Sequence, residues 1–116
     1  MRESGILMPV SSLPGPYGIG CFGKAAFQFV DFLSAAGQTI WQLLPLSPYQ
    51  SCSAFAGNPY FVDLETLEKE GLLTAADLKA ESWGKDPLEV DYGTLYVSRF
   101  AVLRKAYAAW RSQCAG

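Results

Sequence analysis

Side chains that could act as nucleophile, acid or base are limited in this 116-residue sequence: eleven Asp and Glu, three Cys and six Tyr, with no histidine at all. Without histidine the commonest general base and the commonest zinc ligand are missing. Cys21, Cys52 and Cys114 match no CxxC or Cys/His metal spacing, so the expectation is three reduced, structural thiols and no metal site. The acids, among them Asp31, Asp63 and Asp91, fall on predicted helices, inserted segments or loops, where solvated or helix-capping charges are expected. No catalytic residue is assigned.

What remains is binding chemistry. Seven Phe, six Tyr and three Trp exceed what a minimal core needs, and aromatic faces also bind sugar rings. A net charge of −2, without any Lys/Arg cluster, argues against nucleic acid and against an anionic membrane surface as partners. A small neutral ligand suits this surface better. The short apolar run after Met1-Arg2-Glu3-Ser4 is broken by Pro9 and reaches neither the length of a membrane span nor that of a signal peptide, so a cytosolic protein is expected.

The elements that must position such a site follow from the apolar pattern. Gly5–Val10 (GILMPV) is a continuous apolar run, as in a parallel strand covered on both faces. Leu13–Gly20 (LPGPYGIG) holds two Pro and three Gly and reads as a rigid loop. From Gly23 to Ala36 the residues Ala26, Phe29, Val30, Leu33 and Ala36 recur at helical steps, with Gly37 as the stop. Thr39–Leu46 (TIWQLLPL) is a second apolar strand, which completes a βαβ unit and requires a parallel pair. No GxGxxG or GxxxxGK[ST] turn follows the first strand, so nucleotide-binding α/β folds lose weight and a barrel gains.

Beyond Leu46 the pattern changes. Ser47–Pro59 is turn-rich; Leu67–Leu78 reads as two short helical pieces parted by Gly71, with Thr74 and Asp77 spaced as a capping box; Ser82–Asp91 is loop. Tyr96, Phe100, Leu103, Tyr107 and Trp110 mark Thr94–Gln113 as an amphipathic helix whose stripe is expected to pack. The division expected is residues 1–46 as the βαβ unit and 47–116 as an active-site loop with a mainly helical insertion.

Four segments in order, SLPGPYGIG at Ser12–Gly20, WQLLPLSP at Trp41–Pro48, PYQSCSAFAGNPYFVDL at Pro48–Leu64 and VDYGTLY at Val90–Tyr96, resemble the amylomaltase (4-α-glucanotransferase) family of α-glucan-active barrels. The resemblance implies an α/β fold, the N-terminal part of a (β/α)₈ barrel, with the two strands as its first two and the loops from Ser11 and Ser47 facing substrate. It implies transfer of α-1,4-glucan segments to an acceptor 4-hydroxyl by retaining double displacement, without cofactor or metal, on maltooligosaccharides or other α-1,4-glucans. The family carries its catalytic carboxylates on later strands, outside these residues.

Residue by residue, the resemblance implies substrate binding at Tyr49 and Gln50, which match the segment lining the family's donor cleft; Ser51 and Asn58 belong to the same motif. A Tyr ring can stack on glucose and an amide can bond its hydroxyls. For Ser51 and Asn58, turn formation competes with ligand contact, and Phe55 is expected in the core. Tyr96 matches a tyrosine of a secondary glucan site in some relatives, but packing on the last helix is the first expectation. Relatives carry a further segment with Tyr-Gly-Asp-Ser before PYQS, whereas here Ser47 runs straight into Pro48-Tyr49; the missing tyrosine would have been Tyr96's partner. Met8 stands where many relatives have His. The competing reading is a self-contained, non-catalytic glucan-binding or interaction module.

Overall fold

The computed structural model describes residues 1–48, 53 and 56–115, which fall into two compact units: Met1–Gly15 with Ile19–Val62, and Pro16–Gly18 with Asp63–Gly116.

In the first unit, β1 (Gly5–Leu7) and β2 (Ile40–Gln42) form a parallel pair with Gly5 opposite Ile40, Ile6 opposite Trp41 and Leu7 opposite Gln42. Thr39 N–H to Ser4 O (3.1 Å) and Met8 N–H to Gln42 O (3.1 Å) continue the ladder at either end. A Cβ on Gly5 would lie 2.5 Å from the Ile40 carbonyl oxygen, so a residue without a side chain lets the strands close here. Both strands are shorter than the apolar runs that announced them. Pro9 has no N–H to donate, and the chain turns there into a 3₁₀ segment, Val10–Ser12, in which Ser12 N–H bonds Pro9 O; β2 ends at Gln42, opposite the last residue of β1.

α1 (Lys24–Ala35) connects the strands, starting from Gly23 without a side-chain cap and ending at Gly37 with φ +73°. It buries Ala26 against Val10 and Leu13, with Met8, Ala25, Phe29, Trp41, Leu43 and Phe61 packed around them; the Phe29 and Trp41 rings meet edge-on at 4.9 Å. The expectation that the strands are covered on both faces is corrected in this chain: every residue of β1 is exposed, Leu7 at 55%. A two-stranded sheet packed by one helix has too few neighbours to cover it.

The second unit is helical. Asp63 caps α2 (Leu64–Lys69), its carboxylate accepting from Thr66 N–H and hydroxyl. Thr74 and Asp77 form a reciprocal capping box on α3 (Ala75–Lys79), and Gly71 at φ +75° parts the two helices, as the sequence predicts. Asp91 caps α4 (Tyr92–Cys114) through Thr94. The core joins Leu64, Leu73, Leu78, Val102 and Ala106, flanked by Tyr17, Leu67, Leu72, Trp83 and Leu103.

α4 turns inward a face shifted from the one expected: of the expected stripe, Leu103 packs against the core and Phe100 is half-buried, but the other three residues are not covered. Its buried residues are Leu95, Ser98, Arg99, Val102 and Ala106, while Tyr96, Tyr107 and Trp110 are exposed. Leucine, valine and alanine let helices approach closely, which a row of aromatic rings would prevent. Cys114 is exposed, which corrects its reading as a structural thiol.

Candidate functional site

The two connections that leave the C-terminal ends of β1 and β2 are tied to each other within the first unit. The Trp41 indole N–H donates to Met8 O (2.9 Å), fixing β2 against the residue that follows β1. In the first connection, Gly20 N–H bonds Ser11 O (3.1 Å), and a Cβ on Gly20 would meet Leu13 O at 2.7 Å and its nitrogen at 2.8 Å, so the loop closes at a point that only glycine fits. Val10 and Leu13 anchor its base in the core.

The second connection returns at Asn58, whose N–H donates to Leu46 O (3.1 Å). The Asn58 side-chain oxygen accepts from Tyr60 N–H (3.0 Å), and its carbonyl accepts from Phe61 N–H (3.1 Å), capping the 3₁₀ segment Pro59–Phe61 with proline in its first turn. Phe61 O in turn accepts from Phe22 N–H (3.1 Å) in the first connection, and the Phe22 and Phe61 rings meet at 6.2 Å, nearly perpendicular.

Of the sequence-derived site residues, Tyr49, Gln50 and Ser51 lie outside the described residues, as do Cys52 and Phe55. Asn58 is half-buried, with its side chain engaged in the turn. Tyr96 belongs to the other unit, is 67% exposed, and has its ring 5.5 Å from Phe100; the expectation that it packs is corrected.

One feature was missed by sequence reasoning: an open depression of about 480 Å³ in the second unit, lined by Tyr17, Glu65, Glu68 and Lys69. The Tyr17 ring sits edge-on to Trp83 at 5.2 Å, and its hydroxyl is pushed above the usual tyrosine range by burial, then by Glu68, Glu65 and Asp63. Tyr17 stands far from the glutamates in sequence, so no local pattern could announce the grouping.

Asp63, Asp77 and Asp91 act as helix caps. Asp77 is held below the ordinary carboxylate value by hydrogen bonds from Thr74 and by Lys105 at 3.2 Å; Asp91 is held below it by Thr94. Asp31 is exposed on α1. Among the described residues no group of three or more His, Cys, Asp or Glu could hold a metal ion, and no helix is long and apolar enough to cross a membrane.

Comparison with known proteins places this geometry in context. Residues 8–115 match the family model described as 4-alpha-glucanotransferase. The chain is 54% identical over 112 residues to a 4-alpha-glucanotransferase of Streptococcus pneumoniae, covering 90% of this chain and 22% of that protein. It is 42% identical over 119 residues to the Thermus thermophilus enzyme, covering 97% of this chain and 23% of the other. It superposes on the amylomaltase from Streptococcus agalactiae in complex with acarbose with a TM-score of 0.90 at 44% identity, covering 97% of this chain and 24% of that one. The chain thus spans less than a quarter of the length of the curated relatives it matches, and over that length it belongs to the 4-α-glucanotransferase family.

Proposed function

We propose that the complete protein of which these residues form part is a 4-α-glucanotransferase, transferring α-1,4-glucan segments to the 4-hydroxyl of an acceptor glucan. The observation that carries this reading is the family match across residues 8–115, supported by a TM-score of 0.90 to an amylomaltase bound to acarbose. β1 and β2 are read as the first two strands of a (β/α)₈ barrel, in which substrate meets the loops at the strands' C-terminal ends. Those are the ends at which the tied connections emerge.

The reaction is a retaining double displacement. A carboxylate attacks the anomeric carbon to form a glycosyl-enzyme while a carboxylic acid protonates the leaving oxygen; the same group then deprotonates the acceptor 4-hydroxyl. The carboxylates for these steps are assigned outside these 116 residues, as the resemblance to the family implies, and Asp63, Asp77 and Asp91 are read as helix caps. Tyr49, Gln50 and Ser51 are assigned to the donor side of the cleft, Tyr49 by stacking and Gln50 by hydrogen bonds to sugar hydroxyls. A cytoplasmic location fits the carbohydrate chemistry.

The test is incubation with maltotriose. The complete protein is expected to yield glucose together with longer maltodextrins, and the 116-residue chain alone to yield neither. A complete protein that releases only hydrolysis products, or a purified short chain that disproportionates, would refute the assignment.

A further inference from the structure

We infer that Asn58 is a positioning residue for the turn that ties together the connections leaving β1 and β2, in contrast to a glucan ligand. Three of its polar groups are engaged within the fold: N–H on Leu46 O, side-chain oxygen on Tyr60 N–H, carbonyl on Phe61 N–H. The side chain must turn its oxygen to Tyr60, because a backbone N–H needs an acceptor. The segment Ser47–Gly57 therefore starts and ends at one point, Leu46 and Asn58 being joined by a hydrogen bond of 3.1 Å.

The capped turn also reaches sideways. Phe61 O accepts from Phe22 N–H, so the turn that Asn58 begins is fastened to the connection from β1 as well as to the end of β2. The side-chain oxygen therefore caps a turn whose backbone bonds fasten it to both connections. Displacements of about 1 Å at a binding surface are enough to weaken a reaction severely. Asparagine suits the position because its backbone is extended (φ −83°, ψ 117°) and proline follows in the first turn.

The role rests on the glucanotransferase reading, and the experiment separates the two. Asn58→Ala, Asn58→Asp and Asn58→Ser are made in the complete protein; maltotriose kinetics are measured well below the melting temperature, with hydrogen–deuterium exchange at Tyr60. Aspartate and serine keep an acceptor for the turn, and aspartate loses the amide donors a sugar hydroxyl would use. Asn58→Ala is expected to raise KM roughly fivefold, the factor that follows from losing an N-cap of ordinary strength, with kcat little changed and faster exchange at Tyr60. Asn58→Asp and Asn58→Ser should restore both readouts to within about twofold of wild type. Restored Tyr60 protection in Asn58→Asp with kinetics as poor as Asn58→Ala would overturn the inference in favour of a ligand role, as would normal kinetics in Asn58→Ala. An inactive wild type sinks the glucanotransferase reading and the catalytic role with it, while exchange at Tyr60 still reports whether the cap exists.

Discussion

In the complete protein, replacing Tyr49 with alanine removes an aromatic face from the donor-side loop, and the proposed stacking on glucose makes the loss about 1–3 kcal/mol in kcat/KM, taking base stacking on aromatic rings as the guide. Phenylalanine keeps the face and loses only the hydroxyl, so the expected order for maltotriose is wild type, Tyr49→Phe, Tyr49→Ala. Melting temperatures of the same variants separate binding from packing: a fall in stability that accounts for the fall in kcat/KM leaves only a packing role, and no change in either removes both. Asn58 shows what residue types alone could and could not tell. Its place in the glucan-binding motif was legible, and so was the turn-forming tendency of asparagine, but the choice between ligand and cap needed the 3.0 Å bond from Tyr60. The depression beside Tyr17 was invisible because its lining converges only in three dimensions.

At the scale of elements, legibility follows locality. The capping box at Thr74–Asp77 and the ends of α1 depend on neighbours within a few residues, and the sequence states them directly. Strand length and the inward face of α4 depend on distant partners: the chain turns away at Pro9 and the pairing of both strands stops there, and the close approach of α4 to Leu64 and Leu78 selects Val102 and Ala106 over the aromatic rings. The caps also carry a pH signature. Asp77 and Asp91 are held below their ordinary value of 3.8, so their contribution to folding is complete above that value and is lost as pH falls through the lower folded values. Asn keeps a capping oxygen but does not titrate. Thermal melts taken from about pH 5 to pH 2 should therefore show a shallower acid loss in Asp91→Asn than in wild type; parallel curves would mean that the cap is not formed by the ionised carboxylate.

For the molecule as a whole, the strongest physical statement is the apolar surface left uncovered in the first unit. Phe27 is 72% exposed on α1, with Val30 and Phe32 also open, and Ile6, Leu7, Ile40, Leu44 and Leu46 are exposed along the strands and their continuation. Parallel sheets occur almost only where both faces are covered, and open strand edges invite pairing with further strands. In a closed (β/α)₈ barrel both needs are met, because each strand gains two neighbours and helices ring the outside. The 116-residue chain expressed alone should therefore bind a hydrophobic dye such as ANS strongly and self-associate as its concentration rises, whereas the complete protein at equal molarity should bind far less. The helical unit closes a core around Leu64, Leu78 and Val102 but adds to the exposed apolar surface through Tyr96, Val97, Tyr107 and Trp110. Equal dye binding by the short chain and the complete protein, or a short chain that stays monomeric and silent to the dye, would mean that these apolar faces are not the ones a barrel covers.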